Sequence, residues 1–66
     1  MKIVLNGEPR TVEAPISVAE LVQSLGYAGK RVAIERNGEI VPRSAHPQTL
    51  IAPDDRLEIV VAVGGG

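Results

Sequence analysis

Sixty-six residues allow one domain, and a domain of this size buries only about 60% of its unfolded surface, so its core must be economical. The absence of cysteine excludes a disulfide framework, a thiolate zinc site and a cysteine nucleophile together. A formal net charge of -1 at pH 7, with Tyr27 as the only aromatic residue, leaves neither a basic field nor a stacking platform for nucleic acid, which is therefore not expected as a partner.

Met1-Lys2 leads directly into the apolar run Ile3-Val4-Leu5 rather than into a signal peptide, and no apolar stretch reaches the length of a bilayer span. These features predict a cytoplasmic protein with no membrane partner. Asn6-Gly7 closes the first run with a pair suited to positive φ, and Pro9 suggests a loop over residues 6–9 before an edge strand at Arg10 to Glu13 with Val12 inward. Ser17 and Glu20 have the spacing of a capping box, with Ile16 and Leu21 placed as its hydrophobic staple. Val18, Leu21, Val22 and Leu25 share one helical face and Gly26 stands where a left-handed C-terminal residue is wanted, predicting a helix over Val18 to Leu25. Arg31 to Glu35 reads as a strand, turned by Asn37-Gly38 into a short strand at Glu39 to Val41. Prolines at 42, 47 and 53 prevent continuous regular structure up to Asp55, so Leu50 and Ile51 are expected to plug the core from a loop or a single helical turn.

Arg56 to Val63 alternates, with Leu57, Ile59 and Val61 on one face, and runs straight into Gly64-Gly65-Gly66. The expected division is a folded domain over residues 1–63 and a flexible glycine tail over 64–66. Glycine lacks a Cβ and passes through a slot too narrow for any side chain. Three extended residues reach roughly 10 Å, enough to carry the Gly66 carboxylate into a partner's active site. A frayed end without function is the alternative. On the outer face Glu58 is followed by Val60 and Ala62, so the surface turns apolar where the tail departs. Val60, Ala62 and Val63 are therefore candidate docking residues. A central strand that merely tolerates outward apolar residues fits the same pattern.

Other residues suggest no chemistry. His46 lacks a companion at ligand spacing and reads as a loop histidine, so no metal is expected. Asp54-Asp55 suits a turn or a solvated surface, and Arg31, Arg36, Arg43 and Arg56 read as surface charges. Arg43 is also a possible partner contact. The glycines at 26 and 29 are not followed by Lys-Ser or Lys-Thr as in a phosphate loop.

Hairpin, helix, hairpin, crossover and strand give an α+β order, ββαββ, best buried as a mixed sheet of about five strands across one helix. A right-handed connection places the last strand beside the first and parallel to it, in mid-sheet. This order, the length, the opening Ile3-x-Leu5-Asn6-Gly7, the stretch from Asn37 to Arg43 and the close from Leu57 to Gly66 resemble the ubiquitin-like β-grasp sulfur carriers of thiamin biosynthesis. The resemblance spans the whole chain. It departs at Pro53-Asp54-Asp55, where that family has Asp-Gly-Asp, and at His46, where it often has tryptophan.

The resemblance implies a carrier that is not an enzyme and binds no cofactor itself. An E1-like adenylating enzyme using Mg-ATP activates the Gly66 carboxylate, with Gly64 and Gly65 threading its channel. A donor such as a cysteine desulfurase supplies sulfur, and the resulting thiocarboxylate serves thiazole synthase. The diglycine end is shared with the small subunit of molybdopterin synthase and with protein modifiers, and a β-grasp interaction module with incidental glycines is a further alternative.

Overall fold

A computed structural model describes residues 1–62 of the chain; the expectations for Val63, Gly64, Gly65 and Gly66 lie outside the described residues. The elements are β1 (Lys2–Leu5), β2 (Glu8–Thr11), α1 (Val18–Ser24), β3 (Val32–Arg36), β4 (Glu39–Ile40), a 3-10 helix (Arg43–Gln48) and β5 (Arg56–Val61). They build a five-stranded sheet in the order β2-β1-β5-β3-β4. β5 runs parallel to β1 and antiparallel to β3, which is the mid-sheet placement that a right-handed connection requires. No helix among the described residues is long and apolar enough to cross a membrane.

Both Asn-Gly pairs form two-residue hairpins. Asn6 and Asn37 each have φ 51, followed by Gly7 at 81 and Gly38 at 86, the pair of positive angles that matches the twist of the flanking strands. The first hairpin is tighter than Pro9 suggested: β2 begins at Glu8 and ends at Thr11, rather than spanning Arg10 to Glu13. Met1 and Val12 exchange main-chain hydrogen bonds, and counting along the ladder puts Pro9, opposite Val4, at a position whose nitrogen faces away from β1. The N–H that proline lacks is not needed on that side of an edge strand.

The capping box forms as the spacing predicts. The Glu20 N–H donates to Ser17 Oγ at 3.0 Å and the Ser17 N–H donates to Glu20 Oε1 at 2.9 Å. At the other end Leu25 caps α1 rather than extending it, and Gly26 turns left-handed at φ 81. Gly26 then donates to the Gln23 carbonyl and Tyr27 to the Val22 carbonyl, the paired closure of a Schellman motif. Ile3, Leu5, Ile34, Leu57 and Ile59 from the sheet bury against Val18, Leu21 and Val22 from α1. Val12, Val32 and Leu25 pack at the margin of this core.

Of the two expected plugs, Ile51 is buried but Leu50 is 60% exposed. The reason is main-chain pairing: Val18 donates to the Thr49 carbonyl and Ile51 to the Ile16 carbonyl, with Leu50 bridged to Ser17. Extended backbone sends neighbouring side chains to opposite sides, so only one of the pair can enter the core. His46 is likewise not a loop residue but a buried member of the 3-10 helix. Its Nε2 lies 3.0 Å from the Val41 carbonyl oxygen and donates to it, since that oxygen can only accept.

Candidate functional site

The candidate site is the end of β5, and its geometry follows from how that strand is held. Asn37 donates to the Arg56 carbonyl and Ala62 to the Arg31 carbonyl, so the main-chain groups of residues 56, 58, 60 and 62 face β3. Those of 57, 59 and 61 face β1: Asn6 donates to the Leu57 carbonyl at 2.9 Å. β1 pairs with β5 only as far as Leu5 opposite Leu57. One step further the Asn6 side chain continues the ladder. Its Nδ2 donates to the Ile59 carbonyl at 3.3 Å and its Oδ1 accepts from the Ile59 N–H at 2.8 Å. Val60, Val61 and Ala62 lie past this contact and are held from the β3 side.

The start of β5 is braced differently. Asp55, immediately before it, is buried and accepts from Arg36 Nε at 2.7 Å, Asn37 Nδ2 at 3.0 Å and the Ala52 N–H at 2.8 Å. Asn37 Oδ1 in turn accepts from the Arg56 N–H. Burial alone raises the Asp55 pKa, but the Ala52 N–H, the Asn37 amide and the Arg36 guanidinium outweigh it and hold the carboxyl below its ordinary value. Arg36 is thus not a free surface charge; it is committed to Asp55. Asp54 stands at φ 68, taking the left-handed turn where the carriers it resembles have glycine. This acidic pair serves the turn before β5.

Of the candidate docking residues, Val60 is 64% exposed and Ala62 is also exposed, both on the sheet face away from α1, as the alternation predicts. The register adds two neighbours that the sequence did not reveal. Ala33, exposed, stands opposite Val60, and Glu35 stands opposite Glu58. Directly opposed like charges disfavour a sheet, so the two glutamates give this small apolar spot an acidic border at some cost to strand pairing. Ile40, 65% exposed, lies opposite Glu35 on the same face. Among the described residues no three His, Cys, Asp or Glu side chains gather as a metal site.

A mixed sheet in this order wrapped on one capped helix, with the last strand in sequence at its centre, defines a ubiquitin-like β-grasp domain. The model of the ThiS family matches residues 3–66, and the chain belongs to that family. It is 47% identical to a thiazole synthase of Paramagnetospirillum magneticum and 42% identical to one of Magnetococcus marinus, in each case over 100% of this chain and 20% of the relative. The chain therefore spans one fifth of the length of those relatives. The crystal structure of the thiamine biosynthesis protein ThiS from Geobacter metallireducens is 35% identical, covers 100% of both chains and superposes with a TM-score of 0.83.

Proposed function

We propose that this chain is a cytoplasmic sulfur carrier for the thiazole step of thiamin biosynthesis, with Gly66 as the residue that is charged. The observation that carries this reading is the match to the ThiS family over residues 3–66, which includes the glycines. The thiazole synthase relatives and the solved thiamine biosynthesis protein favour the thiamin branch over molybdopterin synthase.

A carboxylate is a poor electrophile because its oxygen leaves badly. The partner, an E1-like enzyme using Mg-ATP, joins the Gly66 carboxylate to AMP and releases pyrophosphate. The outer sulfur of a desulfurase-derived persulfide, originating from cysteine, then displaces AMP to give an acyl disulfide; a second thiol attacks the inner sulfur of that bond, forming a disulfide with it and releasing the carrier as a thiocarboxylate. That sulfur is a soft nucleophile at neutral pH and is delivered to thiazole synthase. The chain contributes no catalytic group: it contributes an end without side chains and a surface by which partners orient it. Val60, Ala62 and Ala33 form the described part of that surface, with Val63 next in sequence. Glu35 and Glu58 at its border call for cations on the partner, which speed encounter and select against wrong partners.

Intact mass spectrometry after incubation with ATP, cysteine, the cognate adenylating enzyme and a desulfurase tests the proposal. The expected mass gain corresponds to one oxygen exchanged for sulfur. An unchanged mass contradicts the carrier, and adducts with larger proteins point instead to a protein modifier.

A further inference from the structure

Asn6 does more than turn the first hairpin. Its backbone takes φ 51 in the turn, while its side chain reaches 53 residues along the sequence to both main-chain groups of Ile59. A primary amide carries donor and acceptor side by side, so one of its two N–H groups and its oxygen can take the places of a peptide N–H and C=O. The side chain therefore stands in for the strand residue that β1 lacks at this level. Up to Ile59 the strand is held on both sides, by β1 or Asn6 and by β3; Val60, Val61 and Ala62 are held from the β3 side. Among the described residues, the last two-sided contact before the proposed reactive end is one asparagine amide.

We infer that Asn6 is a positioning residue for thiolation: by clasping Ile59 it fixes the direction in which β5 leaves the sheet toward Gly66. This rests on the sulfur-carrier reading above. An end group delivered along a fixed path reaches a partner's reacting atoms with less ordering left to do in the transition state. Releasing Ile59 gives the root of that path freedom that each turnover must remove. The Val60 surface is left as it was, so initial docking is unaffected.

Asn6→Gly isolates the amide, because glycine adopts the same positive φ without strain. Asn6→Asp keeps an acceptor for the Ile59 N–H and loses the donor. Steady-state thiocarboxylate formation is measured with the cognate adenylating enzyme and sulfur donor, with carrier concentration varied. We expect kcat to fall roughly tenfold for Asn6→Gly, equivalent to about 1.4 kcal/mol, with KM for the carrier within about twofold of wild type; Asn6→Asp falls between. A purely structural role behaves differently: a partly unfolded carrier is a diluted substrate, which raises apparent KM and leaves kcat intact. Wild-type kcat for Asn6→Gly, or a loss confined to KM, overturns the inference alone. A wild-type chain that is not thiolated overturns the sulfur-carrier reading and this inference with it.

Discussion

The two ends of β5 are gripped by the same kind of residue in the same conformation, yet they are built to different strengths. Asn37 and Asn6 both sit at φ 51 ahead of a left-handed glycine, and each reaches the main chain of β5 with its amide. At the start of the strand Asn37 is one member of a network with buried Asp55, Arg36 and the Ala52 N–H. At the far end the described partners of the Asn6 amide are the neutral main-chain groups of Ile59. A charge-assisted network in a partly dry site holds more tightly than one neutral amide. The chain thus concentrates rigidity where β5 enters the sheet and lightens its hold toward the proposed reactive end.

Breaking the stronger end is expected to have the largest effect. Asp55→Ala removes the acceptor of three hydrogen bonds and strands the Arg36 guanidinium, and should cost about 3 kcal/mol in urea unfolding. Acid tests the same network without mutation. Because the folded-state pKa of Asp55 lies below the unfolded value of 3.8, its contribution is full above that value and is lost as pH falls through the lower, folded-state value. Urea unfolding across about pH 2 to 5 should show this loss, and Asp55→Asn should flatten it. Asn37→Gly keeps the turn and removes one member of the network, for an expected cost of about 1.5 kcal/mol. Asn6→Gly should cost about 1 kcal/mol, less than Asn37→Gly; the reverse order would mean that β5 is held no more firmly at its start than at its exit. Smallest is Val60→Asp on the exposed face, expected to change stability by less than about 1 kcal/mol while weakening binding to the adenylating enzyme in calorimetric titration.

Features that depend on neighbours in the chain were legible in the sequence. Ser17 and Glu20, or Asn37 and Gly38, complete their hydrogen bonds and angles within a few residues, so spacing alone reveals them. Leu57, Ile59 and Val60 declared their faces through strict alternation. Pro9 misled because its effect depends on which side of β2 faces β1, a matter of register. Leu50 misled because its outward turn follows from pairing with Ser17 across the fold. Asn6 and Asp55 read as turn residues, and they are; their second roles are contacts with Ile59 and with Arg36 and Asn37, made between segments far apart in sequence. Composition carries no trace of such contacts. At the site itself, the exposure of Val60 was readable from alternation, whereas the opposition of Ala33 and of Glu35 to β5 needed the sheet.

On the sulfur-carrier reading the folded domain presents a chemically separable end at Gly66. Gly65→Val tests it most directly, with thermal melting and thiocarboxylate formation measured on the same preparation. The expected result is a melting temperature close to that of wild type and no exchange of oxygen for sulfur, because a side chain near the end obstructs the channel of the adenylating enzyme. Thiolation of Gly65→Val at the wild-type rate would contradict it.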